Sequence, residues 1–469
     1  MEIEETIRPM LTRRQFGFLP LTALAGAAQG AWAGPANVRT VFIAVAKPSW
    51  PSPKFDVERA RREAAARLAE WEARHSAVLR LSGGEMVRTA EEAAAWARAL
   101  DRETVDGVVA VPLTSGSDTM VLAVAKSGVP TLLWNQPYLG HAWGSMAAWV
   151  RAGNRGDVLT SSESGDLDIY ARVFYAIHSL RTSKVLVVVA ERGRETHRAQ
   201  ASEFTRRYAT SFEYLDYADL QAAWDAVSTR QAEQEAEGFV RGARRVVEPS
   251  REEILRALRF YLSVKDLLAA RKANAITIDC LGGLQRGELP GYPCVAWSRL
   301  DDEGLYGVCQ ADLNCTMTRL LLTPFTGKPG FLFNSVFDAS RNELIQSHCT
   351  APTAMQGIGG PRSPYIVRSH LETDEGVSIQ VLMPESGVVT VASFDGPQKL
   401  RIATAEVLGN VTSELGCRTQ VRTRVRDAER MMQGFGGGLG VHRVSFYGNY
   451  RDGAFRLARM LAFEVIEES

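Results

Sequence analysis

Three segments in the second half of the chain gather side chains that can bind a polar ligand or move protons. They carry Gln310 with Asp312, then Asn334, then His348, and finally His442 behind a run of glycines. Carboxylates and imidazoles exchange protons and bind divalent cations, and amides form good hydrogen bonds with hydroxyl groups. Together, these residue types indicate a site for a hydroxyl-rich ligand or for a metal ion that holds one.

Each position also has an ordinary structural interpretation. Asn334 stands near the end of a predicted strand, where a turn or cap residue is common. A single histidine on a strand is more often a hydrogen-bonded core residue than a ligand. The glycines from Gly434 to Gly440 are equally compatible with a simple connecting loop. The functional interpretation therefore rests on the three segments taken together.

The hydrophobic pattern indicates which elements must position these residues. From Thr40 to Pro137, and again from Gly153 to Pro324, apolar strands alternate with amphipathic helices. The runs Lys184–Ala190 and Ala275–Cys280 are typical of buried strands. Such alternation predicts parallel sheets covered by helices, which bind ligands at the carboxyl ends of their strands.

After about Gly327 the pattern changes to short alternating strands separated by Gly and Pro turns, and a final helix is predicted at Gly453–Glu467. This pattern favours a barrel or a sandwich. We therefore expect an α/β chain with two Rossmann-like parallel-sheet domains, at 38–152 and 153–324. A β-rich, barrel-like C-terminal domain is expected at 325–469.

The first 34 residues are typical of a twin-arginine signal peptide. Arg13-Arg14 precede an apolar stretch from Phe16 to Ala31, which ends in the cleavage pattern Ala31-Trp32-Ala33. An amphipathic helix and an uncleaved membrane tether are the two alternatives. The signal predicts export by the twin-arginine machinery to the periplasm or another extracytoplasmic space, with no stable membrane span after processing.

Charge and cysteine usage exclude some classes of protein. The 54 Lys and Arg residues equal the 54 Asp and Glu residues, which gives no support for a nucleic-acid partner. None of the six cysteines forms a C-x-x-C pair, so a zinc ribbon or a thioredoxin motif is not expected. An exported protein can carry disulfides, but the apolar surroundings of most of the cysteines favour free thiols.

The C-terminal half resembles the L-fucose isomerase and L-arabinose isomerase family. The resemblance covers Ala275–Ser469 and is only topological before that range. The matching motifs are Ala275–Gly282, Pro293-Cys294 with Gly304, Cys309-Gln310-Ala311-Asp312, Gly327–Phe331, Ser347-His348-Cys349, Gly387–Thr390, and Gly440–His442 with Tyr447-Gly448.

The resemblance implies an active site between the second and third domains. It also implies a trimer or hexamer in which the first domain of a neighbouring copy covers the site, with Trp134, Asn135 and His141 as candidate residues there. The family interconverts aldoses and ketoses. A divalent cation, typically manganese, holds two sugar oxygens while acid/base groups move a proton between two carbons. Asp312 and His370 are further candidate sugar contacts.

Two positions depart from the family pattern. Gln310 stands where the family has a glutamate, and Asn334 stands where it has the next acidic ligand, with Asp338 as the alternative position. His442 matches the family's histidine ligand, and His348 matches a further ligand of the arabinose branch. An amide brings no charge and is not a base near neutral pH. We therefore expect weak manganese binding and the loss of the usual proton shuttle.

Two functions stay open. The chain is either an exported, isomerase-like protein that acts on a monosaccharide through a rearranged site, or a monosaccharide-binding protein that has lost metal and catalysis. In the first case, the candidate acid/base groups are Asp312, Asp338, Glu343, His348 and Glu372. In the second, the expected sugar contacts are Gln310, Asn334, His348 and His442. The β-rich third domain disfavours a generic two-lobed solute-binding protein.

Overall fold

A computed structural model describes residues 34–434 and 440–468. The predicted signal peptide therefore lies outside the described residues, apart from Gly34, and so does most of the glycine run after Gly434. Within these ranges, no helix combines the length and apolar character that a bilayer span needs.

The first sheet has five parallel strands in the order β2-β1-β3-β4-β5. Its strands are β1 (Ala36–Ile43), β2 (Leu79–Val87), β3 (Gly107–Pro112), β4 (Thr131–Asn135) and β5 (Gly156–Thr160). Its helices are α1 (Val57–Arg74), α2 (Ala90–Arg98), α3 (Asp118–Ala125) and α4 (Trp143–Arg151). Because β5 pairs with β4, the sheet continues past residue 152, where the first domain was predicted to end. The short, partly polar β5 lacks the apolar run that marks the other strands.

The second sheet has four parallel strands in the order β7-β6-β8-β9. They are β6 (Lys184–Val188), β7 (Ser211–Leu215), β8 (Ala275–Ile278) and β9 (Tyr306–Cys309). The surrounding helices are α5 (Asp168–Thr182), α6 (Glu191–Tyr208), α7 (Tyr217–Ala226), α8 (Thr229–Gly242), α9 (Arg251–Ala270), α10 (Cys280–Gln285), α11 (Cys294–Asp302) and α12 (Leu313–Thr326). A capping box starts α9, because the side chains of Ser250 and Glu253 each accept the other residue's backbone N–H group.

The C-terminal domain is a closed six-stranded barrel, which decides between the two predicted β-rich folds. Its order is β14-β17-β10-β11-β16-β15, and β14 pairs with β15 to close it. The strands are β10 (Phe331–Asp338), β11 (Glu343–His348), β14 (Val388–Phe394), β15 (Lys399–Asn410), β16 (Thr419–Arg424) and β17 (His442–Tyr447). Outside the barrel, β12 (Tyr365–Arg368) and β13 (Ser378–Val381) form a separate pair.

The sequence predicts one helix over residues 453–467, but the structure has a helix followed by a strand. The helix α14 (Arg451–Leu461) ends at Ala462, whose left-handed φ of 56° terminates it. The following strand β18 (Glu464–Glu467) then pairs in parallel with β15. One further helix, α13 (Ala428–Gln433), precedes β17. The β-branched residues of the last segment favour a strand once the helix has ended.

A buried carboxylate joins α14 to the first domain. Asp157 in β5 accepts hydrogen bonds from Arg459 Nε at 2.6 Å and Nη2 at 3.0 Å, and from the Tyr170 hydroxyl at 2.6 Å. We expect Asp157→Asn to lower the free energy of unfolding by about 2 kcal/mol, since it leaves a partly buried guanidinium without its anion. Urea unfolding measures this loss. The surface variant Asp452→Asn is the control and should cost at most about 0.5 kcal/mol; equal losses would contradict the prediction.

Candidate functional site

The candidate site lies where the carboxyl ends of the second sheet meet the barrel. Asp279 follows β8, and Gln310 and Asp312 follow β9. On the barrel side, Asn334 of β10 is directly paired with His442 of β17. Directly opposed residues of an antiparallel pair project to the same face. The fold therefore brings together residues that lie more than 100 positions apart in the chain.

The turn after β9 has a strained backbone. Gln310 and Ala311 both have positive φ angles, of 57° and 52°, which L-residues other than Asn and Asp seldom adopt. Hydrogen bonds from Ala311 N–H to Ile278 O (2.9 Å) and from Asp312 N–H to Cys309 O (3.3 Å) hold this turn. Two successive left-handed residues cost on the order of 1–3 kcal/mol each and are typical of functional sites.

Asp312 orients His442. One Asp312 oxygen accepts the Cys315 N–H at 2.8 Å and so caps α12, while the other lies 3.1 Å from His442 Nδ1. Burial alone would raise the pKa of the Asp312 carboxyl, but the hydrogen bond and charge of His442, with the Cys315 N–H, lower it below its ordinary value. An ionised Asp312 assigns the proton to His442 Nδ1. When the His442 ring is neutral, its Nε2 carries a lone pair, and that atom has no hydrogen-bond partner among the described residues.

His348 has the opposite tautomer. The Cys349 N–H donates to His348 Nδ1 at 2.9 Å, and the Thr350 hydroxyl lies 3.1 Å from the same atom. Burial is the main cause that lowers the pKa of His348 well below 6.5, and the charges of His442 and His370 add to it. The neutral ring therefore carries its proton on Nε2, an atom for which the described residues supply no partner. The ring centroids of His348 and His442 lie 5.5 Å apart. His348 Nε2–H is thus a hydrogen-bond donor near His442, whose Nε2 carries a lone pair when the ring is neutral.

The His348 ring borders a narrow cavity, which we call the inner cavity, whereas His442 does not line it. Its volume is about 20 Å³, room for about one water molecule. Its polar lining includes Gln310, Asn334, His348, His370 and Glu372. All six cysteines are free and buried, as predicted. Five of them also line the inner cavity: Cys280, Cys294, Cys309, Cys349 and Cys417.

A larger pocket adjoins the inner cavity, and we call it the outer pocket. Its volume is about 660 Å³, within the range of small-molecule sites. Leu281, Leu284 and Glu372 line both spaces. The outer pocket adds the ring of Tyr292, whose centroid lies 5.4 Å from that of His370. Its remaining charged lining residues are Glu253, Arg256 and Glu375.

The other predicted site residues lie elsewhere. Trp134 and Asn135 are buried at the end of β4, and His141 is exposed and packs against Trp50 with 6.0 Å between ring centroids. None of the three lines the outer pocket or the inner cavity of its own chain. His141 is the member of this set that a neighbouring molecule can reach without displacing core side chains.

Two of the proposed acid/base carboxylates lie away from the inner cavity and the outer pocket. Asp338 and Glu343 form the pair at the opposite end of β10 and β11 from Asn334. Asp338 accepts a hydrogen bond from the Ser340 hydroxyl at 2.6 Å, and Glu343 faces Arg422 at 3.6 Å. The fold therefore places Asn334 at the inner cavity and Asp338 outside it.

The sequence patterns did not identify His197 or Tyr292. His197 lies on α6, near enough to Asp279 and Asp312 for their charges to oppose the burial that lowers its pKa. It stands in the second turn of the helix that follows β6, and ligands often bind at the carboxyl ends of parallel strands. Tyr292 lies in a loop and carries no comparable signal in the sequence.

The donors at the cleft do not suit a hard divalent cation. Gln310 and Asn334 bring no charge, and His348 presents a proton at Nε2 where a metal requires a lone pair. His442 Nε2 carries a lone pair suited to ligation only in the neutral ring, and His442 does not line the inner cavity. Within the described ranges, no group of three or more His, Cys, Asp or Glu side chains is arranged to hold a metal ion.

No family model matches this chain, and no curated protein matches it. The assignment to the sugar isomerase family therefore stays a prediction from motifs, and the function has to be argued from the cleft itself.

The depressed pKa of His348 predicts a pH-dependent stability. Below pH 6.5 the unfolded chain binds a proton at this residue and the folded chain does not, so stability falls with pH. We expect a loss of about 1 kcal/mol from this residue between pH 6.5 and 5.5. Urea unfolding of the unchanged chain and of His348→Gln measures it. The free energy of unfolding of the variant should depend less steeply on pH, by about one proton, than that of the unchanged chain. Identical slopes would contradict the prediction.

Proposed function

We propose that the chain binds a monosaccharide between its second domain and its barrel, with the sugar in the outer pocket and one end directed at the inner cavity. The observation that carries this proposal is the shared wall of the two spaces. Glu372 lines both, so a ligand in the outer pocket lies next to the amides and imidazoles of the inner cavity.

The chemistry of the lining favours a hydroxyl-rich ligand. Carboxylates accept hydrogen bonds from hydroxyl groups, Arg256 donates them, and the amides of Gln310 and Asn334 do both. The half-buried ring of Tyr292 offers an apolar face beside these polar groups. A purely apolar ligand would leave several of these polar groups without partners.

A calorimetric screen of aldopentoses, aldohexoses and deoxysugars tests this proposal. At least one sugar should bind saturably, and Tyr292→Ala should weaken its binding about 10-fold through lost contact area. Tyr138→Ala removes an exposed tyrosine outside both spaces and is the matched control. The proposal fails if no sugar of the panel binds up to millimolar concentration, or if both variants have the same effect.

The opposite tautomers of His442 and His348 favour a second function, the aldose–ketose isomerisation of the bound sugar. In this proposal His442 Nε2 removes the proton next to the carbonyl, and His348 Nε2–H donates a hydrogen bond to the carbonyl oxygen. His442 then returns the proton to the former carbonyl carbon, while the hydroxyl proton of the adjacent carbon passes to the former carbonyl oxygen, so that the C=O bond moves by one carbon. This arrangement assigns the proton transfer to imidazoles, in place of the carboxylates that Gln310 and Asn334 lack.

Export by the twin-arginine route and assembly into a trimer or hexamer are part of the same proposal. Cell fractionation with and without the Arg13→Lys/Arg14→Lys change tests export. Light scattering of the purified chain tests assembly. Retention of the unchanged chain in the cytoplasm would contradict export. A monomer at micromolar concentration would contradict assembly into a trimer or hexamer.

A further inference from the structure

One cysteine pair of the inner cavity has its two sulfur atoms in direct contact. The sulfur atoms of Cys280 and Cys309 lie 3.1 Å from each other. Cys280 is the first residue of α10, directly after β8, and Cys309 is the last residue of the neighbouring strand β9. The pair therefore sits on two parallel strand ends that the sheet holds side by side.

We propose that Cys280 and Cys309 form an oxidisable dithiol, which a peroxide of the size of hydrogen peroxide converts into a disulfide within the inner cavity. Three observations support this site. The two sulfur atoms are in contact, both side chains line the cavity, and the cavity has room for a molecule about as small as water.

The two thiols differ in reactivity. The hydrogen bond from Cys309 is the main cause that lowers the pKa of Cys280; burial opposes it, and the N–H groups of Gln310 and Leu281 add to it. The same hydrogen bond, together with burial, raises the pKa of Cys309 well above its ordinary value. Because the N–H groups of Gln310 and Leu281 reach the Cys280 sulfur and favour its anion, we assign Cys280 as the thiol that reacts first and Cys309 as the resolving thiol.

The reaction balances with one peroxide for each pair. The Cys280 thiolate attacks one peroxide oxygen, the O–O bond breaks, and the departing hydroxide takes a proton to become water. Cys280 is then a sulfenic acid. The Cys309 sulfur attacks the Cys280 sulfur, an S–S bond forms, and the sulfenic oxygen leaves as a second water with the Cys309 proton. Two thiols are oxidised by two electrons, and the peroxide is reduced to two waters.

The full chain, reduced and then freed of reductant, can be exposed to hydrogen peroxide, denatured and alkylated. Two of the six thiols should resist alkylation after treatment. Trypsin should then release residues 273–286 cross-linked to residues 300–319, the peptides of Cys280 and Cys309. Oxidised glutathione, which is too large for the inner cavity, should react at least about 10-fold more slowly.

Two variants make the assignment specific. Cys315 lies on the same tryptic peptide as Cys309 but does not line the inner cavity. Cys315→Ala should therefore leave the cross-link unchanged. Cys309→Ala should abolish it and leave Cys280 as a sulfenic acid that dimedone traps.

Three results would overturn the proposal. These are six alkylatable thiols after peroxide, a cross-link between Cys349 and Cys417 instead, or loss of the cross-link in Cys315→Ala. Because the unchanged chain alone gives the thiol count and the peptide map, the first two of these results do not depend on the folding of either variant. Sugar binding is measured separately, so failure of the dithiol proposal leaves the proposed function untouched.

Discussion

The double variant Gln310→Glu/Asn334→Asp should bind manganese at least about 100-fold more tightly than the unchanged chain. The change places two anionic oxygens at the inner cavity that Gln310 and Asn334 line, and hard divalent cations prefer such oxygens. A 100-fold change corresponds to about 2.7 kcal/mol. Isothermal titration calorimetry of both proteins with manganese measures it.

The surface variant Gln398→Glu/Asn449→Asp is the matched control, because it makes the same two chemical changes at exposed positions. Its affinity for manganese should equal that of the unchanged chain. Unchanged binding by the cleft variant would show that Asn334 is not the position of the second carboxylate. Stoichiometric, tight manganese in the unchanged chain would contradict the argument from the donor groups.

Asp312→Asn should lower kcat for sugar isomerisation by about 10²–10⁴-fold and change KM little, if the imidazole pair is catalytic. The ionised Asp312 holds the His442 proton on Nδ1, and a neutral amide no longer imposes that tautomer. Asparagine still caps a helix well, so α12 should keep its start and the fold should persist. Steady-state rates with the sugar that binds best give the two constants.

Asp56→Asn is the control, since Asp56 caps α1 in the first domain by accepting the Arg59 N–H at 2.8 Å. It should leave kcat unchanged. Nitrogen NMR of labelled histidine gives a readout independent of turnover, because His442 should lose its Nδ1–H form in Asp312→Asn only. A full kcat in Asp312→Asn would reject His442 as the base, and sugar binding without turnover in the unchanged chain would favour the binding function alone.

Much of the architecture follows from local sequence pattern. The bounds of α1 follow from its amphipathic pattern and the Asp56 cap, and the strands β6 and β8 follow from apolar runs. The change from parallel sheets to short alternating strands near residue 327 locates the barrel. The strand β5 and the split of the last segment into α14 and β18 were not predicted, because their signals are short and depend on pairing partners elsewhere.

The geometry of the site could not be predicted from the hydrophobic pattern and the motifs alone. Gln310, Asn334, His348 and His442 were chosen from the sequence, but their approach depends on how the barrel docks on the second sheet. The tautomers of the two histidines depend on local hydrogen bonds, one that His442 donates to Asp312 and one that the Cys349 N–H donates to His348, and no spacing rule encodes them. The convergence of five cysteines likewise results from tertiary packing.

The shared wall of the two spaces has a consequence for selectivity. The outer pocket is wide enough for a closed sugar ring, whereas the inner cavity beyond Leu281, Leu284 and Glu372 has a volume of about 20 Å³. Only the terminal atoms of an open-chain sugar fit into the inner cavity without displacing side chains. The protein should therefore discriminate between cyclic and acyclic forms of one sugar, and the equilibrium between those forms in solution would set how much of the sugar can reach the histidines.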